Sequence, residues 1–577
     1  MQPVMERTWV LKDVDGARVK ELVGCDGVSP LLARLLANRG VGSAEEARRF
    51  LSPSLGDLAD PFLLKGMDLA VERLCLARRR GETVCIHGDY DVDGVTSVAL
   101  LLTFLQAVGF SAVYVIPLRL EEGYGLSQDG VDEAIRLGAT VLITVDCGIT
   151  SLEEAVYCRE KGVDLIVTDH HTPGERLPDA LSVINPMQPG CGATFRQLAG
   201  VGLAFKLAVA LRSRMRAEGF FASCGEPNLK GYLDLAALGT IADLVPLKGE
   251  NRIIAAFGLK ELTSSSRSGI RALKKVAAVT DPVGCGDVGF RLAPRLNAAG
   301  RLDDAKRGVE LLLTADGEEA ALIAAELDAA NRERQEIERE ILADALEKAQ
   351  GDAMAGRSTI VMASDKWHPG VIGIVASRVV EAFHRPVILI ALQDGVGKGS
   401  GRSIPSLHLY DAIAACREHL VKFGGHKQAA GLTVDESTLE AFVQRFDEVV
   451  AGTLTEEDFT PQLQIDAELS PGEITPQLVG MLAPMRPFGM GNPEPLFMLR
   501  GARVLQSRVL KETHLKLSLE AGGRVFDAIG FGMASRGVDG GTVDIAFVPE
   551  INAWNGRESL QLRLKEIRKS GADDGAC

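Results

Sequence analysis

Ten cysteines are scattered through 577 residues with no CxxC pair and no regular spacing. This excludes a disulfide-framed secreted scaffold and points to a reducing compartment. An apolar signal core is also missing, since the first residues, "MQPVMERTWVLKDVDG", are charged throughout. No apolar run is long enough to span a bilayer. The longest, Val98 to Phe110, is broken by Gln106, whereas a span needs about 20 residues. A cytoplasmic protein with no membrane contact is expected. A basic excess is lacking too, for the net charge is −15. That excludes a uniformly basic nucleic-acid binder, although an acidic surface averages out a local basic groove. Aromatic residues make up only 5%, and there is no internal repeat.

What is present is a long chain with the apolar and charged fractions of a globular protein. Its length suggests about three or four domains. The first stretch is helical, with Leu at helical spacing in "SPLLARLLANRG" and Ser43 placed as the N-cap of "AEEARRFL". From about Gly81 the rhythm changes. "TVCIHGDYD", "AVYVIPLR", "TVLITVDCG" and "LIVTDHH" are short Val- and Ile-rich runs separated by helical stretches. This alternation predicts βαβ units on a parallel sheet, whose ligands sit beyond the carboxyl ends of the strands. A polar stretch from Gly317 to Gln350 with a thin apolar stripe predicts a long connecting helix. A second α/β unit follows. After it, five strand-like runs from "LFMLRGARVLQSRVL" to "SLQLRLKEIRK" predict a small barrel of the OB type. Aromatics are sparse in that barrel, and Trp554 is the one expected to be exposed.

The chemistry gathers at four places read as strand ends. The first holds His87, Asp89, Asp91 and Asp93; the second Asp146; the third Asp169, His170 and His171; the fourth Asp243 in "LGTIADLVPL". Singly, each Asp is commonly a helix cap or turn residue. Together the acids repel one another, and burying them unpaired is costly. Mixed carboxylate and imidazole donors without thiolates suit Mn²⁺ or a similar divalent ion.

"HGDYDVDG", "TVDCG", "TDHHTP" and "GTIADLVPL" resemble, in order, the four motifs of the DHH phosphoesterases. The resemblance runs from about Thr83 onward through "EGYGLS", "APRLNAAGRL", "WHPGVIGIVASR", "GSGRS", "FGGHKQAAG" and "PFGMGNPEP". It is nearest to the family's single-strand-specific 5′→3′ exonucleases. The resemblance implies an α/β multidomain architecture. A helical extension (1–80) precedes a parallel-sheet DHH domain (81–315). A connecting helix (316–350), a DHH-associated substrate-binding domain (351–455), an OB-like barrel (456–570) and a tail (571–577) follow.

It also implies two Mn²⁺ or Mg²⁺ ions bridged by Asp146. One ion would take His87 and Asp91, the other Asp93, His170 and Asp243. Asp89 would stand behind the ligands or act in the reaction, His171 would face the scissile phosphate, and Asp169 would orient an imidazole. Arg119, Ser400 and Arg402 would grip a 5′-phosphate. Gly424, Gly425 and His426 would approach a phosphate, and Arg295, Asn297 and Arg301 would line the strand's path. For "GKGSGRS" a plain flexible turn is the competing reading, and for the arginines a solvated basic face.

The implied activity is hydrolysis of single-stranded DNA to mononucleotides in recombination and repair. Single-strand binding protein and a RecQ-type helicase are the implied partners, and a monomer is compatible with the layout. Two alternatives stay open. One is a DHH phosphodiesterase for short oligonucleotides or cyclic dinucleotides; the other is a non-catalytic nucleic-acid-binding relative.

Overall fold

The computed structural model describes residues 7–571, apart from residues 26, 118–124, 223, 303–304, 355, 539 and 555–556 and the side chains of 302, 352–354, 554 and 557. Two units emerge. One comprises Leu11–Asp328 with Gln464–Asp573; the other is built on Ala329–Leu463.

In the first unit the Val- and Ile-rich runs form a five-stranded sheet, in the spatial order Ser111–Val115, Thr83–Gly88, Ala139–Val145, Asp164–Thr168 and Ser182–Ile184. Every pairing is parallel. Alternate residues serve two cores, as the two-residue period of a strand requires. Val84, Ile86, Val141 and Ile143 pack with the apolar helices Val92–Ala107 and Gly200–Ala217. Cys85, Leu142, Leu165 and Val167 pack with Gln128–Arg136 and Leu152–Glu160. The connections reverse direction between Thr83–Gly88 and Ala139–Val145, which is where a doubly wound sheet opens its ligand crevice.

The same unit holds a closed barrel. Phe497–Leu510, His514–Ala521, Arg524–Gly530, Arg557–Lys569 and Thr542–Trp554 follow one another, and the last pairs back to the first. The stretch 1–80 is read from the sequence as one helical extension, but its described helices feed two cores. Leu22, Leu35, Leu36 and Phe50 share a core with the barrel's Phe497, Leu515 and Phe547. The helix Met67–Arg80 packs instead on the parallel sheet. Ser43 does cap its helix, accepting from the Glu46 N–H at 3.2 Å.

In the second unit a five-stranded mixed sheet orders Lys422–Gly425, Ala429–Asp435, Val396–Arg402, Val387–Gln393 and Ile360–Ser364. Its core is formed by Ile388, Ile390, Leu432, Phe442 and Phe446. The polar stretch from Gly317 forms one helix, Gly317–Met354. Leu327 and Ile341 of its apolar stripe are buried, but Leu322 is exposed.

Candidate metal centre and phosphate-facing strand

The strand Thr83–Gly88 ends in the acidic loop because the next helix needs a cap. Asp91 Oδ1 accepts from the N–H groups of Asp93 and Gly94 at 2.8 and 3.1 Å and starts Val92–Ala107. The turn is so tight that a Cβ on Gly94 would lie 2.3 Å from the Asp89 carbonyl oxygen. Asn297 braces it from outside, accepting from the Val92 N–H at 3.1 Å. Thus Asp91 is a cap, and it also leaves a carboxylate oxygen at the crevice.

Asp93 lies on the first turn of that helix and is buried. Its two oxygens accept from Gly200 N–H at 2.6 Å and Val201 N–H at 2.8 Å. These are the leading amides of the helix Gly200–Ala217, whose dipole favours an anion there. Sequence reasoning passed over Gly200. Its signal was the glycine opening "GVGLAF", where a Cβ would sit 2.7 Å from that of Asp146. Gly239 is similar, since a Cβ there would come within 2.9 Å of Asp93 Oδ1.

Asp146 follows the strand Ala139–Val145 with φ 62°. A non-glycine residue in the left-handed region costs on the order of 1–3 kcal/mol. That conformation lets the Asp146 N–H bond Thr168 O at 3.0 Å while its buried side chain enters the cluster. The strand Asp164–Thr168 delivers Asp169, His170 and His171. His170 Nε2 lies 3.0 Å from Asp146 Oδ1, 3.7 Å from Asp243 Oδ2 and 3.9 Å from Asp93 Oδ2. His171 Nδ1 bonds Asp169 Oδ1 at 2.8 Å, and the other Asp169 oxygen accepts from Ile149 N–H at 2.9 Å.

Asp243 is not at a strand end. It terminates the helix Leu233–Ala242. A continuously apolar run such as "LDLAALGTIA" gives no period by which to separate buried strand from buried helix.

The electrostatics are those of acids short of positive charge. Burial, then the charge of Asp91, pushes Asp93 up to about 7. Burial with Asp93 and Asp91 pushes Asp243 up to about 9. Burial and four neighbouring carboxylates drive Asp146 well above the ordinary range. Burial pushes His87 down to about 4, which leaves a neutral imidazole, the ligating form. Asp169 differs from the other acids. Burial would raise it, but the His171 hydrogen bond and charge outweigh burial and lower it. Burial would lower His171, and Asp169 in turn raises it. Asp243 Oδ2 and His87 Nε2 are buried with no hydrogen-bond partner among the described residues, a state polar groups avoid unless something else binds them.

Three sets of donor atoms lie within 4.8 Å of one another: Asp93, His170 and Asp243; Asp146, His170 and His171; and Asp89, Asp91 and Asp146. The first and third fit two adjacent dications. The third brings in Asp89, for which a place behind the ligands or a part in the reaction was expected. It omits His87, whose Nδ1 is 3.9 Å from Cys147 Sγ and whose Nε2 faces Gly130.

The second unit carries the other expected contacts. "GKGSGR" is not a flexible turn. It is the strand Val396–Arg402, hydrogen-bonded along its length to a neighbour on each side. The period of two explains its glycines. A Cβ on Gly397, Gly399 or Gly401 would meet Ile390, Leu432 or Leu409 at 2.6 to 3.1 Å. The intervening Ser400 and Arg402 emerge on the opposite face, with Arg402 Nη1 3.2 Å from Ser400 Oγ. Gly373, at the start of the helix Ile372–Phe383, makes room for both, since a Cβ would lie 2.8 Å from Ser400 Oγ and 3.1 Å from Arg402 Nη2. Gly424 and His426 are exposed on the adjoining hairpin, and Gly425 turns it with φ 145°.

Of the remaining expected contacts, Arg119 lies outside the described residues. Arg295 is bound to Asp328 at 2.9 Å and to Arg291 O at 2.6 Å, so it is held rather than extended. Arg301 is half-buried on the helix Ala293–Leu302. In the barrel, Phe497, Phe526 and Phe547 are core and Phe531 is exposed against His514. The Trp554 side chain lies outside the described residues.

Known protein families match this chain in three stretches. The DHH family N-terminal domain matches residues 83–240, the DHHA1 domain 356–452 and the RecJ OB domain 465–566. The single-stranded-DNA-specific exonuclease RecJ of Salmonella typhimurium is 43% identical over 558 residues, 93% of this chain and 96% of its own. The crystal structure of Thermus thermophilus RecJ in complex with Mn²⁺ superposes with a TM-score of 0.84 at 34% identity, over 98% of this chain and 80% of that one. The Mg²⁺ complex of the same protein gives 0.77 at 32% identity, over 98% and 79%. With the DHH, DHHA1 and OB modules in order, and a RecJ matched over nearly its whole length, the chain belongs to the RecJ family.

Proposed function

We propose that this protein is a single-stranded-DNA-specific 5′→3′ exonuclease that hydrolyses phosphodiester bonds with two divalent ions, Mn²⁺ or Mg²⁺, and releases mononucleotides. The observation that carries this reading is the largely buried cluster of Asp89, Asp91, Asp93, Asp146 and Asp243 with His87 and His170 at the mouth of the sheet, which is short of positive charge and leaves Asp243 Oδ2 and His87 Nε2 without a hydrogen-bond partner among the described residues. Asp93, His170 and Asp243 would hold one ion; Asp89 and Asp91, with His87 beside them, would hold the other; and Asp146 would serve both. Bound there, two ions activate water and stabilise charge on the phosphate in an in-line displacement.

The chain's own residues do the rest. The amides of Gly200 and Val201 fix the Asp93 carboxylate. Asp169, fixed by Ile149 N–H, orients His171 and favours its protonated form. His171 is then placed to meet the phosphate and to give a proton to the departing 3′ oxygen.

Selection of the 5′ end falls to Ser400 and Arg402, with Arg119. A guanidinium binds a terminal phosphate with two parallel hydrogen bonds. His426, Gly424 and Gly425 offer a second phosphate contact. Arg301 and Asn297 line the path, Asn297 mainly by holding the acidic loop. The division we propose assigns catalysis to 81–315, end recognition to 351–455 and strand binding to 456–570. A cytoplasmic location beside single-strand binding protein and a RecQ-type helicase suits a repair nuclease. No helix among the described residues is long and apolar enough to cross a membrane.

The test is digestion of long single-stranded DNA, labelled at either end, with Mn²⁺ and with or without a 5′-phosphate. Mononucleotides released from the 5′ end, and absent with Asp146→Ala, are the expected result. Rapid cleavage of dinucleotides with inert long strands would move the protein to the short-substrate branch.

A further inference from the structure

Phe290 is 86% exposed, more than any other large apolar side chain among the described residues. It stands on the widened helical turn Val288–Leu292, whose end residues Val288 and Leu292 are buried. The turn is therefore anchored while the ring is held out in water, forgoing the burial that drives folding. Such π-turns recur at functional sites. The glycines beside it are not demanded by packing, since a Cβ on Gly286 or Gly289 would meet nothing within 4 Å. They leave the space around the ring open.

Phe290 does not stand alone. It lines a groove of about 980 Å³ with Leu244, Phe488 and Met490, of which Leu244 is 61% and Met490 53% exposed. The groove's wall adjoins the acidic cluster at two points. Leu244 directly follows Asp243, and Asn297, also in the wall, accepts the N–H of Val92 between Asp91 and Asp93. Lys260 and Arg486 line it as well, and neither forms an ion pair with a carboxylate among the described residues. The one lining carboxylate, Glu494, is bound to Arg563 at 2.5 Å.

We propose that this groove is a nucleobase site for the strand being cut, with Phe290 as a stacking platform and Leu244 and Met490 as its apolar walls; the inference rests on the exonuclease reading above. An exposed ring with cations at the rim suits bases on a phosphate backbone, and stacking on a ring tolerates any base. A sequence-independent nuclease needs that tolerance. The apolar segment of a protein partner would not call for a wall that adjoins the phosphate-handling acids.

The test uses the full chain with Mn²⁺ and 5′-phosphorylated single strands, intact or bearing one abasic residue at successive positions from the 5′ end. The wild type should lose about tenfold in kcat/KM when the gap falls at the groove. Phe290→Ala should fall to that level on the intact strand and no longer distinguish the two substrates. Phe290→Trp should keep the distinction, which guards against a merely misfolded variant. In a second measurement, without metal, a strand with 2-aminopurine at the same position should be quenched by the wild type and not by Phe290→Ala. If Phe290→Ala cuts like the wild type, or loses equally on both strands and keeps the distinction, the base site is refuted and a protein partner becomes the occupant. Quenching without any cleavage would refute the exonuclease reading while leaving the base site standing.

Discussion

Two clusters of buried charge in the same unit have opposite logic. The acidic cluster gathers Asp89, Asp93 and Asp146 with little positive charge around them, and the carboxyls of Asp93 and Asp146 titrate far above their ordinary range. The other cluster is cationic. Arg252, 2% exposed, gives its hydrogen bonds to the carbonyls of Phe50, Pro484, Arg486 and Pro487, with its guanidinium 3.9 Å from the Phe50 ring centroid. Arg39 does likewise with Leu35 O, Pro493 O and Asn492 Oδ1, and lies 3.5 Å from Asp466. The cationic cluster is complete in itself and ties the N-terminal helices to "PFGMGNPEP". The acidic one is completed only by something it binds. Buried cations that meet their hydrogen bonds within the chain mark architecture, and buried acids crowded together short of positive charge mark function.

Neutralising one acid should have the largest effect. Asp146→Asn should lower exonuclease activity by at least about 10³-fold, the scale on which a single electrostatic contact to the transition state is lost. The same change should raise the melting temperature of the metal-free protein, because it removes repulsion. A fall in metal-free stability would show that the cluster is structural after all.

The pH sign follows from the same acids. Asp93 and Asp243 have folded values of about 7 and about 9, above their ordinary 3.8. The folded state thus holds protons that the unfolded state has released. Stability of the chelated protein should therefore fall as pH rises from about 4 to 9. Adding Mn²⁺ should reverse that slope over pH 6–8. Thermal melts at matched ionic strength, with and without chelator, read both signs.

Replacing the satisfied cation should do the converse. Arg252→Met leaves four carbonyls with fewer donors, those of Phe50 and Pro487 among them buried, and each orphaned buried group costs about 1–3 kcal/mol. A loss of about 3 kcal/mol in unfolding free energy is expected, with kcat per folded molecule little changed. A variant that keeps its stability but loses activity would place Arg252 in the site rather than in the scaffold.

This contrast also explains what was legible in the sequence. Carboxylates and histidines at successive strand ends are local and unusual, so Asp89, Asp91, Asp93, Asp146, His170 and His171 could be found by reading along the chain. The alternation of Val-rich runs and helices was equally local, and it yielded the parallel sheet. What was not legible depends on contacts distant in sequence. The Gly200 amide that holds Asp93 comes from 107 residues away. The helix before Asp243 has no period to betray it. The glycines of "GKGSGR" look like a loop until two neighbouring strands show that they are places where side chains from next door must fit. Phe290 was invisible because an aromatic in a mostly apolar stretch is nearly always core.

The smallest expected effect concerns one of those glycines and carries the comparison into the second unit. Gly373 leaves room for Ser400 and Arg402, and a methyl there would press on Ser400 Oγ at 2.8 Å and Arg402 Nη2 at 3.1 Å. The helix Ile372–Phe383 accepts alanine readily, since Ala is the better helix former, so the fold should tolerate Gly373→Ala. The cost falls on the guanidinium, which must shift by a few tenths of an ångström from a position held by Ser400 Oγ and Gly401 O. Bidentate phosphate binding depends on that geometry. The variant should raise KM for 5′-phosphorylated strands about fivefold, equivalent to about 1 kcal/mol. It should leave KM for 5′-hydroxyl strands and kcat nearly unchanged. Equal loss on both substrates would mean that Ser400 and Arg402 touch the strand without reading its end.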